Sequence, residues 1–537
     1  MTFNSGANAY AITASATITF TISGTGITNN SGATQKFVAD ADIGGNSGTI
    51  FFSNAATAGN KTVFTANGGV VSGGFGGTTA FFDSSTASKS TFIANGTAVE
   101  GAYGGETAFV ANSNSGHSSF TANGGAASGP SGGVTFFNNS ASAGNSVFVA
   151  NGGTASGASG GLTEFAANAM AASGTFTTNA GTVSGAGGGF TEFLDNSTAG
   201  NGVFVTNGAT VSRALGGNMV FLDGSTAANA TLIVNGGSNG GEGGTISFVF
   251  YSDGGLARTE VFGNGRLDFS EYEGPNVSLG SFEGDGNIFL GAVNLTIGGN
   301  NRNTIFSGVI QDGGQVANSP GSLTKSGNGI LTLSGANTYT GTTTVNAGAL
   351  AMNGSGASSA ISVTGGMFVV NGSMPNVSTA AVSGGSLIVN GSISGGVTAN
   401  GGTLGGSGQI GAASLNKRST LSPGNGSTGR FRVAEDLKFV AGATYSVELN
   451  GAGAGTQYDQ TVVGRNVNLG NATLLLKLGF DPAKGTTFTI IDHAGAAHVT
   501  GTFKGLKEKA NMAVGNHAFQ ISYIGGSGND VVLTTIH

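Results

Sequence analysis

Apolar and polar positions in this chain alternate in short runs, with no sustained helical period. The stretches Thr78-Thr-Ala-Phe-Phe82 and Thr91-Phe-Ile-Ala94 are short runs of Thr, Ala, Ile and Phe separated by corners rich in Gly and Asn. Runs of this length bounded by turn residues predict strands. The runs also recur. Phe81 returns at steps of 28 residues as Phe109, Phe137, Phe165, Phe193 and Phe221. A second series is Phe64, Phe92, Phe120, Phe148, Phe176 and Phe204, with Leu232 next. A third is Asn67, Asn95, Asn123, Asn151, Asn179, Asn207 and Asn235. Three residue types held at one strict spacing predict a coil with one turn per repeat.

Within a repeat the pattern predicts about three short strands. In the first, Thr79 and Phe81 share one face and Ala80 and Phe82 the other, because successive side chains alternate. The second holds Phe92 between Thr91 and Ile93. The third runs through Val71, Val99, Ala127, Ala155, Val183 and Val211. Corners such as Asn95-Gly96 and Gly104-Gly105 suit positive φ, which Gly and Asn tolerate. Apolar positions that match in every repeat stack inward at the ~4.8 Å strand spacing. The two Phe series then form most of the core. The Asn series is expected to satisfy corner backbone groups and to pass amide bonds from rung to rung. Thr, Val and Ile columns face outward.

The period organises the chain into segments. Residues 1–48 read as irregular opening rungs, and 49–244 as the strict repeats, with one slip where Phe52 and Phe81 stand 29 apart. Residues 245–320 break the period with Arg258, Glu260, Arg266 and Asp268. In 321–416 the repeats shorten: Val370-Asn-Gly372 and Val389-Asn-Gly391 are 19 apart. Residues 417–537 carry longer strands and more charge, and are assigned as a C-terminal β-rich cap that covers an exposed strand edge.

Composition changes this picture in three ways. Charged residues make up only 8 % of the chain, against ~25 % in typical domains. Such a bias can signal disorder, but disordered chains lack aromatic residues, and here 35 Phe recur in register. Cys is absent, which removes disulfides, thiolate zinc sites and Cys nucleophiles. The net charge of −7 is unevenly spread: residues 1–416 hold 8 Lys/Arg against 18 Asp/Glu, and 417–537 hold 11 against 8. A weakly acidic repeat body is a poor nucleic-acid partner. No apolar run reaches the ~20 residues of a membrane helix. The first ten residues carry no basic n-region or apolar h-region, so no export signal is expected there.

Gly321-Ser-Leu-Thr-Lys-Ser-Gly-Asn-Gly-Ile-Leu-Thr-Leu-Ser-Gly-Ala-Asn-Thr-Tyr-Thr-Gly341 and the residues to Leu350 closely resemble the autotransporter-associated β-strand repeat of Gram-negative passenger domains (type V secretion). Leu421-Ser-Pro-Gly-Asn425 and Gly528-Asn-Asp-Val-Val-Leu-Thr534 look like the ends of such passengers. The resemblance implies an all-β, right-handed parallel β-helix, extracellular or displayed at the outer membrane of the cell. It implies adhesion or aggregation, with surface ligands of host or neighbouring cells, or the chain itself by lateral association, as partners. The family's export signal and C-terminal barrel have no counterpart in the sequence, so a passenger-like fragment or a barrel-free member is expected.

Candidate chemistry is thin. Gly129-Pro-Ser-Gly-Gly133 and Gly157-Ala-Ser-Gly-Gly161 match the nucleophile-elbow pattern but sit in Gly-rich corners rather than strand-to-helix turns. His493 and His498 lack a third ligand and read as exposed loop residues. Gly525-Gly-Ser-Gly-Asn-Asp-Val-Val-Leu533 is a single copy of a calcium β-roll nonapeptide, which needs stacked copies. Glu164 and Glu192 are equivalent positions, as are Asp195 and Asp223. Facing outward, the glutamates stand ~5 Å apart, enough to raise a pKa or gather a cation. Paired carboxylates suit glycoside hydrolysis, which makes a β-helical carbohydrate-active enzyme the alternative. With no basic or aromatic sugar-stacking partner evident beside them and no Trp in the chain, the stripe reads as solvated. No catalytic, cofactor or metal residue is assigned, and the chain is read as a non-enzyme.

Overall fold

Four-residue runs with apolar groups at alternate places form strands with one buried face, as in Val147–Ala150, where Phe148 and Ala150 point inward and Val147 outward. The computed structural model describes residues 1–129, 131–316 and 320–537, and every regular element in them is a strand. No helix among them is long and apolar enough to cross a membrane. The fold is a parallel β-helix in two compact units, Met1–Leu295 with Ser307–Ser319, and Thr296–Phe306 with Pro320–His537.

In the first unit, the first sheet stacks Thr49–Phe52, Thr78–Phe81, Glu106–Phe109, Val134–Phe137, Leu162–Phe165, Phe190–Phe193, Asn218–Phe221 and Thr245–Phe248 in parallel. The second stacks Asn60–Ala66, Lys89–Ala94, Ser119–Ala122, Val147–Ala150, Thr175–Thr178, Val203–Thr206 and Thr231–Val234. Apart from a register shift between Asn60 and Val63, the pairing stays in phase, so from Thr78 and Thr91 onward equivalent positions lie on one another. The rings of the Phe52-to-Phe248 column stack with centroids 4.4–4.9 Å apart. Those of the Phe37-to-Phe204 column stack at 4.5–4.9 Å. The two columns meet edge to face, as Phe137 and Phe148 do at 5.6 Å. Each ring from Phe52 to Phe204 thus has neighbours in both favoured aromatic geometries, while Phe221 and Phe248 have stacked partners only.

The third side of each turn differs from the expected strand. Val71, Val99, Val183 and Val211 sit at bends and turns, with Val183 and Val211 each 37 % exposed. Most of these turns contain a left-handed residue, among them Gly73, Gly101, Gly157, Gly185 and Arg213, which a strand cannot accommodate. The inward residue there is Ala102, Ala158, Ala186 or Ala214. At a different corner, between the first and second strands of each rung, the rungs are joined by single parallel bridges through Thr57, Thr86, Asn114, Ser142, Met170, Thr198 and Thr226. A turn therefore has two strands, one bridging residue between them, and an irregular segment that leads back to the first sheet.

The Asn column forms a continuous amide ladder. Each Nδ2 from Asn95 to Asn235 donates to Oδ1 of the preceding rung's Asn at 2.9–3.0 Å. The glycine corners have a different cause from the one expected. Neither Asn95-Gly96 nor Gly104-Gly105 has positive φ. Instead, a Cβ on Gly104 would stand 1.9 Å from the Gly132 carbonyl oxygen, and one on Gly105 2.0 Å from that of Ala66. Close approach of backbones selects Gly here. The left-handed corner residues are Asp83, Ala111, Asn139, Ala167, Asp195 and Asp223, with φ between 55° and 61°.

The second unit has shorter rungs of three strands each, such as Thr342–Val345, Ala349–Met352 and Ser355–Gly356. Leu350, Phe368, Leu387, Leu404 and Leu421 are fully buried in its core. A second amide ladder joins Asn390, Asn371 and Asn353 at 2.8–2.9 Å. Parallel strand pairing continues as far as Val463 with His493, and one further parallel bridge joins Asn468 and Thr500. Beyond it the chain turns antiparallel: Thr487–His493, Asp530–Thr535, His517–Gly525 and Asn511–Val514 close the end.

Candidate functional site

The outer face of the first sheet carries a long concavity. Outward positions at the start of each strand form a floor: Thr78, Glu106, Val134, Leu162, Phe190, Asn218 and Thr245. The glycine column Gly76, Gly104, Gly132, Gly160, Gly188, Gly216 and Gly243 borders it, leaving a groove of about 860 Å³. Six inter-rung steps at ~4.8 Å make it roughly 29 Å long. Phe75, Tyr103 and Leu215 rise from the turns along one side. Phe75 and Tyr103 stack with centroids 5.5 Å apart and remain exposed.

The glutamates belong to this face. Glu164 and Glu192 are direct register partners. Glu106 and Glu192 line the groove, and Glu164 stands beside it. Burial raises the Glu106 and Glu192 carboxyls above the ordinary range. Glu164 is raised by burial first, and then by the charges of Glu192 and Glu106. No hydrogen bond or ion pair reaches any of the three among the described residues. Nor does the groove lining contain a Lys or Arg.

Sequence reasoning found Glu164 and Glu192 through their spacing. It missed Glu106, which occupies the Thr78 position of its own rung and matches no other acid. It also missed the aromatic neighbours. Phe75 and Tyr103 stand one period apart, and that spacing was the available signal.

The remaining candidates have structural roles. Asp195 Oδ2 accepts the Ala167 N–H of the preceding rung at 2.9 Å, and Asp223 takes the same left-handed corner. Ser159 donates to the Gly129 carbonyl and Ser131 to that of Ala127, with no helix following either; Pro130 lies outside the described residues. His493 is buried rather than exposed, its ring bonded to the Arg465 carbonyl, while His498 is exposed. Gly525–Leu533 is a hairpin turn whose Asp530 accepts the His493 and Ser527 N–H groups at 2.9 and 3.2 Å. No group of three His, Asp or Glu among the described residues is placed to hold a metal ion.

Residues 323–352 match the passenger-associated-transport-repeat, within the stretch that carries the resemblance noted from the sequence. With its parallel rungs, the chain is an autotransporter-passenger-like β-helix, a class that is secreted or displayed at the cell surface. Among solved structures it is similar to the crystal structure of the Haemophilus influenzae Hap adhesin, at 12 % identity and a TM-score of 0.34. That similarity covers 95 % of this chain, which spans 64 % of the Hap chain. No curated protein matches the sequence.

Proposed function

We propose that this chain is a passenger held at the bacterial outer membrane, acting by adhesion and cell–cell aggregation. The supporting observation is the outer face of the second sheet. Its outward columns are Val63, Thr91, Ser119, Val147, Thr175 and Val203, beside Thr65, Ile93, Thr121, Val149, Thr177 and Val205. These side chains are β-branched or small and carry no charge. A regular uncharged face of this kind suits docking against another surface. Six rungs of two columns cover roughly 300–400 Å². A stable pair buries ~800 Å² per partner. One face therefore binds weakly, and many copies on a cell bind through avidity.

The test compares cells with and without the protein for surface localisation and autoaggregation. Aggregation that depends on the protein supports the reading, and so does its loss in a Val147→Lys/Val203→Lys variant that is still displayed. Equal aggregation with and without the protein overturns it.

The Glu164–Glu192 pair keeps one further reading in play, a carbohydrate-active enzyme. A general acid and its partner need environments that push their pKa values apart, whereas here burial moves both upward. Turnover of a glycan panel that disappears in Glu164→Gln/Glu192→Gln would favour that reading.

A further inference from the structure

The asparagines of the two amide ladders are almost all followed by glycine, as in Asn151-Gly152, Asn207-Gly208 and Asn235-Gly236 of the first unit and Asn371-Gly372 of the second. Asn-Gly is the dipeptide most prone to deamidation, because glycine has no side chain to hinder attack of its backbone nitrogen on the preceding amide carbon. In a folded chain the reaction depends on two things: how many hydrogen bonds the amide must leave, and whether the glycine nitrogen is itself engaged.

The ladders differ in the second respect. The N–H groups of Gly354, Gly372 and Gly391 donate to the carbonyls of Leu333, Met352 and Val370 at 2.9–3.2 Å. Those of Gly152, Gly208 and Gly236 donate to nothing among the described residues. The first ladder also has one open end. Asn67 is tied on both sides, since its Nδ2 donates to Asp40 and its Oδ1 accepts from Asn95. Asn235 Nδ2 donates to Asn207 at 2.9 Å, but nothing among the described residues donates to Asn235 Oδ1. Asn264, in the next rung, turns its amide to the Gly237 N–H and the Gly241 carbonyl instead. Asn207, Asn235 and the glycines after them border a surface groove of about 440 Å³, so water reaches them.

We propose that Asn235-Gly236 is a self-modification site, where the folded ladder deamidates first, and that the reaction then passes back to Asn207 and stops at Asn179. The Gly236 nitrogen attacks Asn235 Cγ and gives its proton to solvent, Nδ2 leaves as ammonia, and a succinimide ring closes. Water opens the ring at either carbonyl, leaving aspartate or isoaspartate. An interior asparagine such as Asn151 must break two ladder bonds to react, whereas Asn235 breaks one. One hydrogen bond is worth about three- to tenfold in rate. A carboxylate at position 235 cannot donate to Asn207 Oδ1, so Asn207 becomes the new open end. Asn179 is followed by Ala180, whose Cβ hinders the attack, and the reaction halts there. Each conversion places a negative charge at the end of a second-sheet strand, first Thr231–Val234 and then Val203–Thr206.

Peptide mapping by tandem mass spectrometry of the purified folded chain, incubated in mildly alkaline buffer, tests the proposal. Asn235 should convert about three- to tenfold faster than Asn95, Asn123 and Asn151, and Asn207 should follow it. In chain unfolded by guanidinium these Asn-Gly sites should convert at similar rates. Asn235→Asp and Asn235→Ala, both checked for folding by circular dichroism, should each speed Asn207 by a similar factor and leave Asn179 unconverted. Agreement between the two variants assigns the effect to the lost ladder bond rather than to charge. Asn235 no faster than the interior asparagines of the folded parent, the same order of rates in the unfolded chain, or an unchanged Asn207 rate in either variant would overturn it.

Discussion

Replacing Phe148 by Ala removes one ring from the centre of the first unit. The ring stacks on Phe120 at 4.7 Å and on Phe176 at 4.5 Å, and meets Phe137 edge to face at 5.6 Å. It is 1 % exposed, so the cavity cannot fill from solvent without opening the rung. Deleting a buried Phe costs ~3–5 kcal/mol, cavity included. Three aromatic pairs worth ~0.5–1.5 kcal/mol each put this site toward the upper end of that range. Because each rung of a solenoid touches only its neighbours, the loss should stay local. Amide hydrogen exchange read by mass spectrometry is the assay. Protection should fall by roughly two to three and a half orders of magnitude in 147–150, and also fall in the adjoining strands 119–122 and 175–178. Peptides four or more rungs away should be unchanged. Val147→Ala, on the same strand but 47 % exposed, is the control and should change little. A Phe148→Ala effect below about tenfold, or one matched by Val147→Ala, would refute the stacked-core account.

Other perturbations follow from the same geometry. Asn151→Ala breaks the amide bonds to Asn123 and from Asn179, both 2.9 Å, and should cost ~1–3 kcal/mol in local exchange. Gly160→Ala forces a Cβ to 2.1 Å from a backbone oxygen. It should destabilise far more than Gly73→Ala, where nothing lies within 4 Å and only the left-handed backbone costs ~1 kcal/mol; thermal melts of the two variants decide. Glu164 has its carboxyl raised in the folded chain, so the folded state holds its proton longer and stability falls as pH rises through that window. Glu164→Gln should therefore raise the melting temperature at pH 7, and the gain should vanish below the ordinary carboxylate pKa. In the second unit, burial pushes Asp459 up to about 7 against the N–H bonds from Glu448 and Gly429. Melting of that unit should weaken as pH rises from about 4 toward about 7, and Asp459→Asn should flatten the dependence.

Much of this was legible because a strict period states which residues are equivalent. Spacing alone sets Phe148 over Phe120 and Asn151 over Asn123. It also sets Glu164 beside Glu192. A period is silent on how positions within one rung fold against one another. The pattern predicts a third strand through Val99, and only the left-handed residue at Gly101 shows that Val99 lies in a turn. Glu106 joins the glutamates from the neighbouring outward column, which no 28-residue comparison reveals. The glycine corners looked like a demand for positive φ. The demand is for space, and space between backbones has no signature other than Gly itself.

Under the proposed function, the chain acts by what its folded surface presents. Purified chain coupled to beads, with folding verified by circular dichroism, tests this without any cellular machinery. Coated beads should cluster or bind cells in proportion to coating density, and Val147→Lys/Val203→Lys beads should stay dispersed. Folded, densely coated beads that neither cluster nor bind cells would contradict it.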